Sequence, residues 1–196
     1  NGLAQPTQYT IAARQSPIMT KLSVNVNKIA LLRNQRDIDI PSVTQSAQTC
    51  IDAGAAGITV HPRPDERHIR ETDVYELQAL VTTVEYNIEG NPIERYMDIC
   101  RKVKPTQCTL VPDDPYQNTS DHGWDLTDRS NIDLLIPLVQ EMKAWGSRVS
   151  IFMDPDPELM ALAKETGADR VELYTEPYAT AHREADPADM LKLYAD

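Results

Sequence analysis

The sequence lacks several features that would each assign it to a particular class of protein. No run of about 18 or more apolar residues is present, so the chain predicts no membrane-spanning helix. Its 3 cysteines, Cys50, Cys100 and Cys108, form no paired spacing, which favours core thiols of a reducing cytoplasm over a disulfide framework. Positive charge is also scarce, with 19 Lys and Arg against 30 Asp and Glu. The net charge of -11 argues against a general nucleic-acid or membrane-surface binder, since phosphate groups would be repelled over most of the surface.

The remaining composition is that of a soluble globular protein. Apolar residues make up 41% of the 196 positions and charged residues 25%, which suits one substantial core. A phosphorylated small substrate stays compatible with the acidic surface, because a few local Arg and Lys side chains outweigh the distant field.

The two ends of the sequence have unusual patterns. The first 18 residues carry neither a basic nor an apolar segment, so they do not resemble a signal peptide. Met19 precedes a strand pattern, which predicts a disordered leader or added segment at 1–18 and a catalytic domain at 19–196. The sequence stops inside a helical pattern at 187–195, and we expect a barrel that lacks its last part.

Short β-like runs alternate with longer helical ones from residue 21 onward. The predicted strands are 21–27, 57–61, 85–89, 107–112, 148–154 and 170–175, and the segments between them have helical spacing. Asp73 and Glu76 suggest a helix start, and Asp156 before Pro157 suggests another, which closes at Gly167. The junctions repeat as AGAAGITV, AWGSRVSI and TGADRVEL. This repeat predicts a parallel sheet of βα units.

Polar and apolar residues alternate within several of these strands. Leu22, Val24 and Val26 interleave with polar residues, whereas strands of an open, doubly covered sheet are usually apolar throughout. One face therefore suits a ring of helices and the other a polar interior. The pattern predicts a TIM (β/α)8-type barrel with about six of its eight βα units present.

The C-terminal ends of barrel strands carry the reactive groups in such folds. These positions hold Asn25, Asn27 and Lys28, then His61 and Arg63, then Glu89, with Glu172 deeper in the sixth strand. A histidine and two interior carboxylates facing one cavity form a candidate acid–base set. Structural roles for Glu89 and Glu172, such as ion pairing, remain open alternatives.

Two loops stand out at this face of the predicted barrel. The loop HPRPDERH at 61–68 is either functional, a stiffened charged turn, or, less in keeping with its spacing, a metal site. The polar segment 113–131, which contains Gly123 and Trp124, is long for a βα loop and suggests a lid or a plain surface excursion. His122 and His182 lie in polar surroundings and are expected to be solvated.

Five segments resemble the pyridoxine 5'-phosphate synthase family in order and spacing: KLSVNVNKIALLRNQR, GAAGITVHPRPDERHI, YNIEG, TLVPD and VELYTEPYA. The resemblance implies a cytoplasmic, octameric TIM barrel. It also implies condensation of 1-deoxy-D-xylulose 5-phosphate with 3-amino-2-oxopropyl phosphate, without metal or redox cofactor. The products would be pyridoxine 5'-phosphate, phosphate and water. We expect the chain as given to be an inactive fragment of such an enzyme.

The same resemblance assigns roles to individual residues. His61 matches the family's catalytic base, Glu89 its second acid–base residue, and Glu172 a carboxylate that assists. The positions that match substrate-binding residues are Asn25, Asn27, Lys28, Arg36, Arg63, His68 and Thr119. Asn27-Lys28 stands where many members have Asp-His, and the family's later histidine and Gly-rich phosphate site have no counterpart here.

Two other functions remain possible on the sequence alone. Another phosphate-handling TIM-barrel isomerase or lyase would use similar groups, although a Schiff-base aldolase would need a strand-borne lysine that no strand here carries on its inner face. A non-enzymatic, truncated barrel module is the third possibility.

Overall fold

The computed structural model of the chain describes residues 19–114, 117, 119–184 and 187–195, so the predicted leader at 1–18 lies outside it. Strands and helices alternate within these residues. Their bounds in chain order are β1 (Ser23–Asn25), α1 (Asn27–Arg33), α2 (Val43–Asp52), β2 (Gly57–Val60), α3 (Glu71–Leu80), β3 (Glu85–Gly90), α4 (Glu94–Val103), β4 (Gln107–Leu110), α5 (Arg129–Ala144), β5 (Arg148–Met153), α6 (Pro157–Glu165), β6 (Arg170–Leu173), α7 (Glu176–Glu184) and α8 (Ala188–Ala195).

The six strands form one parallel sheet in which each strand pairs with the next along the chain. The sheet is curled, as contacts on its inner face between side chains two strands apart show. Arg148 of β5 reaches Glu85 of β3 at 2.7 Å, and Arg170 of β6 reaches Gln107 of β4 at 3.4 Å. In a flat sheet these strands would stand about 9.5 Å apart. The predicted barrel architecture is confirmed as a half-barrel, with β1 and β6 at its edges within the described residues.

The predicted alternation along the strands is also confirmed. Val60, Ile88 and Ile151 point outward into the hydrophobic core that the helices share with the sheet. Thr59, Asn87 and Thr109 point inward and are hydrogen-bonded to one another across strands. Asn87 Nδ2 donates to Thr59 Oγ1, and Thr109 Oγ1 donates to Asn87 Oδ1. Burial of the outer face stabilises the fold, while the inner face stays polar and available for chemistry.

The helix starts agree with the sequence at one predicted position and differ at the other. Asp156 caps α6 by accepting from Glu158 N, and Pro157 takes the first helical position. Helix α3, however, begins at Glu71 rather than at Asp73. Asp73 occupies the third helical position and accepts from Arg70 N at 2.8 Å, which is the role of the distal acid in a capping box.

The repeated helix–glycine–strand junctions share one backbone conformation. Gly54, Gly146 and Gly167 have φ values of 96°, 90° and 78°, in the left-handed region that ends helices at low cost only for glycine. Each therefore lets the chain leave a helix and turn back into the next strand.

The described helices are all too short or too polar to cross a bilayer. Cys100 and Cys108 are buried and Cys50 packs against the core, as predicted for core thiols. His122 and His182 are exposed, as predicted for solvated histidines.

Candidate active site

A cavity of about 380 Å³ opens at the C-terminal ends of the first strands, and we call it the strand-end cavity. Its volume lies in the range of small-molecule sites. Most of the residues that the sequence marks as candidates line it together. They are Asn25, Asn27, Lys28, His61, Arg63, His68, Glu89 and Thr119, with Leu31, Arg67 and Ser120 completing the wall.

The candidate Glu172 lines a second cavity, which we call the inner trough. This cavity of about 600 Å³ runs along the concave face of the sheet, and it shares Asn25 and Glu89 with the strand-end cavity. The expected acid–base set therefore spans two adjoining cavities, with His61 in one, Glu172 in the other and Glu89 in both.

Arg36 is the candidate that lines neither cavity. It lies exposed in the turn after α1, whereas Arg33, one helical turn earlier, points inward and pairs with the buried carboxylate of Asp73. Helix α1 ends at Arg33, so the chain has already turned outward when it reaches Arg36. Its assignment to substrate binding stays a prediction.

Two asparagines fix the backbone that carries His61. Asn25 Oδ1 accepts from Asn27 N, and Asn27 Oδ1 accepts from His61 N, each at 2.9 Å. The first and second strand ends are thus tied together directly below the imidazole. At least one atom of Asn27 therefore serves the architecture of the site, although its side chain also lines the cavity.

The imidazole of His61 lies between two carboxyl groups. Glu89 Oε2 is 3.9 Å from Nδ1, and Asp113 Oδ2 is 3.9 Å from Nε2. Asn25 Nδ2 approaches Glu89 Oε2 at 3.5 Å from the first strand. His61 is 6% exposed, so few water molecules screen these groups from one another.

Burial sets the protonation of this pair. It lowers the pKa of His61 from 6.5 to about 3, and the cations of Arg63 and Arg67 act in the same direction. Burial also raises the pKa of Glu89 well above 4.5, and the carboxylates of Glu172 and Asp113 add to the rise. The site therefore holds an unprotonated imidazole, which can accept a proton, beside a carboxyl group whose raised pKa favours the protonated form, which can donate one.

Cationic side chains also line the strand-end cavity, and we call them its cationic wall. Lys28 is exposed at its mouth, Arg63 is buried, and Arg67 bonds Asp65 and the carbonyl oxygen of Gln117. Burial and these arginines lower the pKa of His68 to about 4, so its imidazole is neutral. This wall suits a phosphate group. The candidate list from the sequence omitted Arg67, although it lies within the HPRPDERH loop.

The segment after β4 is anchored at both of its described ends. Arg63 bonds the Asp113 carboxylate and the Gln117 carbonyl oxygen, while the Trp124 indole is buried and donates to Leu110 O at 3.0 Å. Gly123 lies so close to the backbone of Met153 that a Cβ atom would not fit. In the second half of the segment Gly123, Trp124 and Leu126 are therefore fixed in the core, although most residues around them are exposed. Residues 115, 116 and 118 lie outside the described part, and a lid at the first half stays a prediction.

The pKa shift of His61 predicts how stability depends on pH. The unfolded chain binds a proton at His61 below pH 6.5 and the folded chain does not, so stability is full above pH 6.5 and is lost on acidification. His61→Gln should remove this loss. A shift from pH 6.5 to 5 should therefore lower the free energy of unfolding of the variant by about 2 kcal/mol less than that of wild type. Glu89→Gln should act oppositely, because a raised pKa makes wild-type stability fall as pH rises above 4.5. Urea unfolding at both pH values measures these differences, and parallel pH curves for the three proteins would contradict the prediction.

Comparison with known proteins identifies the family. The sequence profile of the family described as Pyridoxal phosphate biosynthesis protein PdxJ matches residues 22–196. A pyridoxine 5'-phosphate synthase of Bacteroides fragilis (strain YCH46) is 56% identical over 170 residues, which cover 87% of this chain and 70% of that protein. The synthase of Albidiferax ferrireducens is 52% identical over 185 residues, covering 90% and 73%. That of Porphyromonas gingivalis is 55% identical over 164 residues, covering 84% and 68%. The chain belongs to the PdxJ family.

Proposed function

We propose that this chain carries acid–base residues with which a pyridoxine 5'-phosphate synthase catalyses its reaction. The reaction is the condensation of 1-deoxy-D-xylulose 5-phosphate with 3-amino-2-oxopropyl phosphate. One observation carries the proposal: the imidazole of His61 and the carboxyl group of Glu89 lie 3.9 Å apart in a cavity that Lys28, Arg63 and Arg67 also line. The relatives at 52–56% identity bear the name of this enzyme.

The chemistry of ring formation matches what these groups do. The amine condenses with the ketose carbonyl, phosphate and water leave, and closure of a carbon–carbon bond completes the ring. These steps move protons at nitrogen, at oxygen and at carbons next to a carbonyl or imine. In our proposal His61 accepts such a proton and Glu89 donates one, and Glu172 assists from the inner trough. Neither group requires a metal or a redox cofactor for this transfer.

The cationic wall would hold the substrate phosphates. Lys28, Arg63 and Arg67 supply the charge, and Thr119 and His68 add polar side chains to the same cavity. Because Arg63 and Lys28 differ in burial, the first suits a fixed, oriented contact and the second a contact made at the mouth.

We also infer a cytoplasmic location and a homo-octameric assembly for the complete enzyme. Both rest on the family resemblance, and the free cysteines suit a reducing compartment. Light scattering coupled to size-exclusion chromatography tests the assembly.

The activity test uses two proteins: the 196-residue chain, and the same chain completed with the segment of the Bacteroides fragilis relative that it does not match. Each is incubated with both substrates, and pyridoxine 5'-phosphate is measured by chromatography alongside released phosphate. The completed chain should form product only when both substrates are present. A folded, completed chain that forms none, or that isomerises one substrate alone, would contradict the proposal and favour another phosphate-handling barrel enzyme.

A further inference from the structure

A small cavity lies behind His61, on the side away from the strand-end cavity, and we call it the rear cavity. Its volume is about 20 Å³, close to that of a single water site. Of these two cavities, His61 and Arg63 line both, whereas Asp113 lines the rear cavity and Glu89 lines the strand-end cavity. The side chains of His61 and Arg63 therefore stand between the two cavities.

Asp113 has one carboxylate oxygen in use and one without a partner. Oδ2 accepts from the guanidinium of Arg63 and from Ser120 Oγ, which is 2.7 Å away. The side chain is only 3% exposed, and its Oδ1 has no hydrogen-bond partner among the described residues. A buried acceptor left in this state is uncommon and calls for an explanation. The imidazole of His61 also faces this carboxylate, with its Nε2 at 3.9 Å from Oδ2.

We propose that Asp113 is a positioning residue that holds His61 in the tautomer with its proton on Nε2 and stabilises the imidazolium when Nδ1 takes up a proton. The proposal rests on the proposed function, in which His61 is the base. The negative carboxylate behind Nε2 attracts the N–H end of the imidazole dipole. The lone pair of Nδ1 is then directed toward Glu89 and the strand-end cavity.

The proton balance follows from this orientation. A substrate carbon next to a carbonyl or a protonated imine gives its proton to Nδ1, and its bonding electrons remain on the substrate as an enolate or an enamine, respectively. The imidazolium then lies between Asp113 behind it and the strand-end cavity in front. The proton leaves Nδ1 for a later intermediate, and Asp113 stays ionised throughout, as the carboxylate of a catalytic triad does.

A purely structural role for Asp113 predicts different results. The carboxylate also anchors the segment after β4, since it binds Ser120, and its backbone oxygen accepts from Asn91 Nδ2 at 2.6 Å. Ser120→Ala is therefore a matched control, because it removes a partner from the same carboxylate oxygen without changing the charge behind His61. An anchoring role predicts similar effects of Ser120→Ala and Asp113→Asn.

The first measurement is the ¹⁵N NMR signature of the His61 tautomer in the wild-type 196-residue chain, which needs no activity and no variant. We expect protonation on Nε2, and a predominant Nδ1–H tautomer would overturn the proposal. In Asp113→Asn the Nδ1–H form should gain population, whereas in Ser120→Ala and Asp113→Glu the wild-type tautomer should persist. An unchanged tautomer in Asp113→Asn would also overturn it.

The second measurement is turnover by the completed chain. Asp113→Asn should lower kcat by about 10–100-fold with little change in KM, a smaller loss than in a directly hydrogen-bonded triad because the separation is 3.9 Å. Asp113→Glu should recover most of the activity, and Ser120→Ala should lose clearly less activity than Asp113→Asn does. Equal losses in Asp113→Asn and Ser120→Ala would reduce Asp113 to an anchor. If the unmutated completed chain forms no product, the proposed function fails, while the tautomer measurement still decides the role of Asp113.

Discussion

Replacing His61 with glutamine in the completed chain should lower turnover by about 10²–10⁴, the usual contribution of one positioned acid or base. Glutamine keeps a polar side chain of similar reach, and the His61 backbone hydrogen bond to Asn27 is unaffected by the change. The variant therefore loses the proton-accepting nitrogen while the cavity keeps its shape. Steady-state kcat for pyridoxine 5'-phosphate formation is the measurement, and KM should change little.

Two companion variants make this result specific. Glu89→Gln should lose turnover in the same range, because it removes the acid that faces His61 at 3.9 Å. His122→Ala should leave turnover unchanged, since that histidine is exposed and its ion pair among the described residues is with the adjacent Asp121. Near-normal rates in both His61→Gln and Glu89→Gln would show that the chemistry has been assigned to the wrong residues.

The sequence predicted the sheet and the grouping of His61 with Glu89 at the strand-end cavity, because both depend on local patterns. Polar residues alternate with apolar ones along the strands, and this period of two places Asn25, Asn87 and Glu89 on the inner face whatever the details of packing. Loops that follow parallel strands emerge at the same edge. The position of His61 directly after β2 therefore placed it near Glu89, which lies near the end of β3.

The position of Asp113 behind His61 depends on contacts between loops, which no local sequence pattern encodes. Asp113 follows β4 in the sequence TLVPD, and nothing in that spacing shows that it would be buried beside Nε2 of His61. The contact arises because Arg63, in the loop after β2, binds the Asp113 carboxylate and the Gln117 carbonyl oxygen in the loop after β4. Arg36 shows the converse: the family resemblance predicts a substrate-binding role, while in the structure Arg36 is exposed in the turn after α1 and lines neither cavity.

Helix α3 shows how one residue with two roles can mislead a reading of the sequence. Asp73 resembles a helix start because aspartate is common at N-caps, but its neighbours cannot reveal a partner forty positions earlier in the chain. In the structure the carboxylate forms a bidentate ion pair with Arg33 of α1 and also accepts from Arg70 N. Both side chains of the ion pair are nearly inaccessible, at 6% and 5% exposure. This ion pair is the origin of the second large effect that we expect.

Asp73→Ala should lower the free energy of unfolding by about 3–5 kcal/mol, because it leaves the Arg33 guanidinium buried without its counter-charge. Arg33 would keep only its bonds to Asn34 Oδ1 and to the His68 carbonyl oxygen, which do not neutralise it. Urea unfolding followed by circular dichroism gives the difference. Asp98→Ala is the matched control: its carboxylate is 54% exposed in its pair with Arg101. That change should cost less than about 1 kcal/mol.

A double variant separates the loss of attraction from the cost of a stranded charge. If the stranded guanidinium of Arg33 causes the destabilisation, then Arg33→Met combined with Asp73→Leu should recover most of the stability, since apolar side chains of similar volume replace a buried ion pair at little cost. The double variant should then be more stable than Asp73→Ala alone, although it carries one more substitution. Equal stabilities of Asp73→Ala and Asp98→Ala would contradict the argument, because they would mean that water reaches Arg33 and screens its charge. A double variant less stable than Asp73→Ala would instead show that the bonds from Arg33 to Asn34 and His68, rather than its charge, hold α1 against the loop of the active site.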